Sequence, residues 1–191
     1  VTAALLSLLQ PGDEVVLFEP RYDLYGALVE FAGATAVPVP LLPPTFTPDP
    51  DDVRAAFSPR TRAVVLNDPH NPTGTVASRE FKELLVELAT EFDAVVITDE
   101  VYEHLRFDGP HRPLSTLPGA ASRTLSVSSA GKTFSATGWR VGWVTGPREL
   151  LRGVVAVKTY LSHSAAAPLQ HAVAEALALP PQFFEGLGNL S

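Results

Sequence analysis

The run Ser128-Ser129-Ala130-Gly131-Lys132-Thr133-Phe134-Ser135-Ala136-Thr137-Gly138-Trp139-Arg140 places one lysine among small and hydroxylated residues, with a second cation eight positions on. The sequence has three lysines. Lys82 and Lys158 fall inside the apolar–polar periodicity of expected helices, where a lysine is ordinarily solvated. Lys132 falls in no such pattern and follows the apolar segment Thr124–Ser128. Small neighbours let a ligand approach closely, and a partly desolvated lysine is a nucleophilic amine suited to a Schiff base. The alternative for Lys132 is a plain surface-loop lysine.

Two further segments carry chemistry. Asp99 ends the apolar run Ala94-Val95-Val96-Ile97-Thr98, and Glu100, Val101 and Tyr102 follow it. A carboxylate at the end of a buried strand is costly without a partner. Asn67-Asp68-Pro69-His70-Asn71-Pro72-Thr73-Gly74 is a turn-rich octet after another apolar run, Ala63–Asn67. By themselves, Asp99 is also readable as a helix cap and Asn71 as an ordinary Asn-Pro turn residue.

The elements around these segments form a regular alternation. Apolar strands are expected at Glu14–Phe18, Thr35–Val39, Ala63–Asn67, Ala94–Thr98, Thr124–Ser128 and Val141–Thr145. Helices are expected at Tyr22–Ala32, Pro50–Phe57, from Ser78 to Phe92, from Pro147 to about Leu161, and at Pro168–Leu179. Ser78 is the expected N-cap of the third, with Glu80 in its first turn, and Gly33 closes the first in the C′ position. Continuous apolar strands between helices indicate an α/β fold whose mostly parallel sheet is covered on both faces. Ligands in such folds gather beyond the carboxyl ends of the strands, where all three segments fall.

Composition narrows the function classes. The 191 residues carry a net charge of −7 without a basic block, which argues against nucleic acid as a partner. No apolar run approaches the ~20 residues a membrane helix needs. The absence of cysteine excludes disulfides and thiolate metal sites and agrees with a cytoplasmic location. There is no methionine, Val1 opens directly into helical spacing with no cap, and the sequence trails off after Gly186. The chain is therefore expected to be a fragment of a longer protein, truncated at both ends.

Taken together, the lysine run, the Asn67–Gly74 octet and Thr98-Asp99-Glu100-Val101-Tyr102 resemble the class I/II aminotransferases. These are pyridoxal 5′-phosphate (PLP) enzymes of fold type I, and the resemblance is nearest to the kynurenine, glutamine and N-succinyldiaminopimelate branch. It implies that residues 1–191 are a partial cofactor-binding large domain and that the helix from about 147 leads towards a small domain. It implies an amino-acid donor, a 2-oxo acid acceptor, a homodimer, and no role for metal, membrane or nucleic acid.

By the same resemblance Lys132 is the Schiff-base lysine and proton shuttle, and Asp99 holds the pyridine nitrogen protonated. Asn71 and Tyr102 bond the phenolic oxygen, Ser129 and Arg140 hold the phosphate, and Tyr22 stacks on the ring. Tyr25 is the decoy one turn on, Asn67 and His70 shape the turn, and Glu100 is structural. The family's Gly-Ala/Ser-Thr phosphate turn and its carboxylate-binding arginine have no counterpart here; Arg106, Arg112 and Arg123 lack a matching context. Two alternatives share the resemblance: a carbon–sulfur β-lyase, and an aminotransferase-like domain of a transcription regulator.

Overall fold

In the computed structural model, which describes residues 1–107 and 109–187, six strands form a single sheet. They are β1 (Glu14–Glu19), β2 (Thr35–Pro40), β3 (Thr61–Asn67), β4 (Val95–Asp99), β5 (Thr124–Ser129) and β6 (Gly142–Thr145). Their spatial order is β2-β1-β3-β4-β5-β6. All neighbours are parallel except β5 and β6, which pair antiparallel, with Ser129 opposite Gly142.

The helices are α1 (Thr2–Leu8), α2 (Leu24–Phe31), α3 (Pro50–Ala55), α4 (Arg79–Glu91), α5 (Ala130–Thr133), α6 (Arg148–Ser162), α7 (Ala167–Leu177) and α8 (Pro181–Leu187). The chain changes sheet direction at β1, which is flanked by β2 on one side and β3 on the other. Such a reversal opens a crevice at the strand ends.

Side chains alternate between two cores, as the period of two in a strand requires. Val16, Phe18, Val64, Leu66 and Val96 face α3 and α4, where Val53, Leu84, Leu85 and Leu88 complete one core. Val15, Leu17, Val65, Ile97 and Leu125 face the other way, onto Leu5 and Leu8 of α1, Tyr25 and Val29 of α2, and Val154 of α6. β3 and β4 are buried along nearly their whole length, which is why they read as unbroken apolar runs.

The boundaries follow local chemistry. Ser78 caps α4, its Oγ accepting from the Phe81 amide at 3.1 Å. Gly33, at φ +73°, sits one residue past the α2 C-cap, a conformation without steric penalty for glycine.

Three sequence expectations change. α8 lies beyond Pro168–Leu179, the last helix expected, and Pro181 is its first residue. The turn expected around Lys132 is the one-turn helix α5. Lys82, expected in solvent, is only 4% exposed and paired with Asp68.

Candidate active site

The site is assembled from the carboxyl ends of β1, β3, β4 and β5. Asn67 and Asp99 are the last residues of β3 and β4 and stand side by side in the parallel register. Asn67 Nδ2 donates to the Asp99 carbonyl at 2.8 Å, and the Asp68 amide donates to the same oxygen at 3.0 Å. Asn67 Oδ1 accepts from the Asn71 amide at 2.7 Å. One asparagine therefore ties the Asn71 loop to the Asp99 strand end. Its part in the turn was expected; its bond to Asp99 lies beyond sequence reading, because it depends on strand order.

Asp99 is 6% exposed. Its Oδ2 accepts from Tyr25 Oη at 2.7 Å, while Oδ1 is buried with no hydrogen-bond partner among the described residues. Burial raises the Asp99 carboxyl above its ordinary value, and the Tyr25 hydrogen bond works against that rise. The Tyr25 phenol is pushed far up, first by burial and then by the Asp99 charge. Tyr25, the decoy beside Tyr22 in the sequence, is thus the residue that hydrogen-bonds Asp99. The available signal was the apolar face of α2, which carries Tyr25 inward against the sheet.

Tyr22 stands at the rim, 49% exposed, after the end of β1. Its ring meets that of Tyr25 edge to face, with centroids 5.7 Å apart and planes at 83°. His70 links this corner to the Asn71 loop. Its Nδ1 lies 2.7 Å from Thr73 Oγ1, and the Pro20 backbone also hydrogen-bonds its ring. Burial lowers the His70 pKa from its ordinary value, with Asp68 and Pro20 acting in the opposite direction.

On the β5 side, Ser129 is the last strand residue and the N-cap of α5. Lys132 projects from this short helix, its Nζ 5.6 Å from the centre of the Tyr102 ring. Lys132 is exposed, so the desolvation expected for its amine is not supplied by the described residues.

A second loop closes behind the lysine. Thr137 Oγ1 donates to the Gly131 carbonyl at 2.9 Å, and Arg140 Nη1 donates to the Thr137 carbonyl at 3.2 Å. Arg140 adopts a left-handed backbone, φ +56° and ψ +34°, at the cost of strain in a non-glycine residue. A Cβ on Gly142 would lie 2.8 Å from the Ser128 carbonyl, so only glycine lets β6 approach the Ser128–Ser129 end of β5 this closely.

The structure thus gathers Asn71, Asp99, Tyr102, Ser129 and Lys132 at one edge, with Tyr22 and Arg140 at its margins. Among the described residues, no group of three or more His, Cys, Asp or Glu side chains is arranged to hold a metal ion. No helix of those residues is long and apolar enough to cross a membrane.

This architecture has close relatives. The chain is 50% identical, over 99% of its own length and 48% of the relative's, to a probable N-succinyldiaminopimelate aminotransferase DapC from Mycobacterium tuberculosis. It is 41% identical to kynurenine–oxoglutarate transaminase 3 from Homo sapiens, covering 89% of this chain and 40% of that one.

The three-dimensional structure of N-succinyldiaminopimelate aminotransferase from Mycobacterium tuberculosis superposes with a TM-score of 0.95 at 50% identity, over 98% of this chain and 50% of that one. A Thermus thermophilus aspartate aminotransferase mutant superposes with a TM-score of 0.92 at 38% identity, over the same shares of the two chains. The chain therefore spans about half the length of the relatives it matches. The family model for aminotransferase class I and II matches residues 1–187, and the chain belongs to that family.

Proposed function

We propose that this chain is the greater part of the cofactor-binding domain of a PLP-dependent aminotransferase. The enzyme moves an amino group from an amino acid to a 2-oxo acid. Aminotransferases of this family are PLP enzymes. The observation that carries the reading for this chain is the half-used carboxylate of Asp99: Oδ2 is held by Tyr25, and Oδ1 is buried without a hydrogen-bond partner among the described residues. A buried acceptor of this kind calls for a donor, and a protonated pyridine nitrogen is one.

The remaining residues fit the same group. Ser129 and Arg140 offer a hydroxyl and a guanidinium, suited to a phosphate dianion. Asn71 and Tyr102 offer donors to a phenolate oxygen, and Tyr22 offers an aromatic face at the rim. Bound there, PLP would supply an aldehyde for the substrate amine and an electron-withdrawing pyridinium.

The protein's own work is positioning and proton transfer. Asp99, fixed by Tyr25 and by the Asn67 bond to its backbone, keeps a negative charge against the ring nitrogen. Asn71 is set by Asn67 and faces the same strand ends as Tyr102. Lys132 would take the proton from the substrate Cα as general base and, as general acid, return it to the carbon on the far side of the substrate nitrogen. Its position on a one-turn helix after a rigid strand gives the amine reach without freeing the backbone. The partner copy expected in a homodimer, and segments outside this chain, would complete the pocket and the substrate carboxylate contacts. By likeness to the relatives at 50% identity, N-succinyldiaminopimelate heads the list of substrates to assay, with kynurenine and aspartate next.

The test uses the intact protein loaded with PLP. An amino donor alone should yield one equivalent of its 2-oxo acid per site and then stop. Adding 2-oxoglutarate should restart turnover and produce glutamate. Continuous release of pyruvate and thiol from cystathionine without an acceptor would replace this reading with the β-lyase. Failure of both reactions, with sequence-specific DNA binding, would replace it with the regulator.

A further inference from the structure

Four ionisable side chains outside the amino-transfer chemistry are buried together beneath the site. Asp68 and Glu100 directly follow Asn67 and Asp99, so their side chains leave the strand ends on the opposite face, towards α4. Lys82 of α4 puts its Nζ 2.6 Å from Asp68 Oδ2 and donates to the Arg112 carbonyl at 2.7 Å. His111 stands between the two carboxylates. Its Nε2 is 3.3 Å from Glu100 Oε2, and its Nδ1 is 4.0 Å from Asp68 Oδ2. The four side chains are between 2% and 7% exposed. The Ser126 hydroxyl of β5 reaches Glu100 Oε1 at 3.5 Å, and the Ala77 amide donates to Asp68 Oδ1 at 2.9 Å.

Charge and donor count decide how this cluster is held. A neutral imidazole has one N–H and one lone pair, so one carboxylate would face a lone pair. It would also leave two carboxylates against a single ammonium in a buried space, where an unpaired charge is costly. An imidazolium carries an N–H on each ring nitrogen, one on the side of each carboxylate, and makes two cations against two anions among the described residues. Both ring nitrogens are fully buried and, among the described residues, neither makes a hydrogen bond of good geometry, so charge rather than a formed hydrogen bond holds the ring between the two carboxylates.

We propose that Asp68, Lys82, Glu100 and His111 form a charge-balanced clasp across the two loops of the active site, with imidazolium His111 as its positioning residue. The proposal rests on the amino-transfer reading for what the loops carry. Asp68 and Asn67 both donate to the Asp99 carbonyl, and Asn67 in turn holds the Asn71 amide. Glu100 is bonded through its amide to the Val127 carbonyl of β5, at 2.8 Å. Pulling Asp68 and Glu100 onto one imidazolium therefore sets the separation of the Asn71 loop from the Asp99–Tyr102 segment. His111 acts on the cofactor site only through those neighbours.

Two measurements on the intact protein test the clasp. In the cofactor-free protein labelled with 15N-histidine, the His111 signals, assigned by their loss in His111→Gln, should have imidazolium shifts at pH 7.5. A neutral tautomer there overturns the proposal. Should His111→Gln not fold, Glu100→Gln serves instead: one histidine should turn from imidazolium to neutral at that pH, and no change in any histidine overturns the proposal.

The second measurement is PLP affinity in a double-mutant cycle. Each of His111→Gln and Glu100→Gln should weaken binding about tenfold, the scale of a lost positioning partner. The double variant, in which Lys82 and Asp68 remain balanced, should stay near the weaker single variant. Additive losses approaching about a hundredfold, or no loss in either single variant, overturn the clasp. A wild-type protein that binds no PLP brings down the amino-transfer reading alone and leaves the histidine measurement standing.

Discussion

Tyr25 Oη lies 2.7 Å from Asp99 Oδ2 inside the core between α2 and the sheet, and among the described residues Oδ1 has no hydrogen bond of good geometry, although the Val101 amide also acts on the carboxylate. The phenol thereby fixes one oxygen of the carboxylate. It also favours the charged form of a group that burial pushes towards protonation.

Tyr25→Phe removes the donor and keeps the ring. Oδ2 is then a buried acceptor without a partner, and the Asp99 carboxyl rises further. A hydrogen bond to a charged group is worth about 1.5–3 kcal/mol. PLP affinity at pH 7 should therefore fall about tenfold or more, tenfold corresponding to about 1.4 kcal/mol. Absorbance titration of the cofactor-free protein measures it, and unchanged affinity would remove Tyr25 from the site. Tyr22→Phe keeps an aromatic face at the rim and makes no comparable change at Asp99.

The strands and the Asp99, Asn71 and Lys132 segments were legible because each depends on local chemistry. β3 and β4 are buried on both faces and so read as continuous apolar runs. The Asn67–Gly74 octet is too rich in turn formers to be anything but a loop. What escaped depends on strand order. Lys82 matches a solvated helical position by periodicity alone, and only the packing of α4 beside the end of β3 brings Asp68 within 2.6 Å of it. Tyr25 escaped because the partner that makes it polar in purpose, Asp99, lies 74 positions away. His111 sits in a proline-flanked irregular segment with no periodic signal at all.

His70 gives the chain a pH-dependent stability of predictable sign. Burial holds its folded pKa below the ordinary value of 6.5. As pH falls past that value the unfolded chain takes up a proton first, so the unfolded state binds more protons than the folded one. The stability contributed by the neutral ring is present above pH 6.5 and is lost as pH falls towards the lower folded value. Urea unfolding of the wild type and His70→Gln between pH 5 and 8 checks this. The gap between their stabilities should narrow as the solution is acidified, and a gap independent of pH would mean that His70 ionises alike in both states.

The assignment of the reactive amine is decided by the three lysines themselves. Lys82 is buried, its amine occupied by Asp68 and the Arg112 carbonyl. Lys158 lies on the exposed face of α6 beside Ser162, away from the strand ends. Lys132 is the exposed lysine at the carboxyl edge of the sheet, over the Tyr102 ring and next to Ser129. Borohydride reduction of the PLP-loaded intact protein, followed by peptide mapping, should therefore leave the pyridoxyl group on Lys132. Lys132→Ala should lose the reducible adduct entirely while still binding PLP through Asp99, Ser129 and Arg140. Its rate of amino transfer should fall by at least the factor of about 10²–10⁴ that a positioned acid–base group contributes. Label recovered on Lys158, or wild-type turnover in Lys132→Ala, would place the chemistry elsewhere.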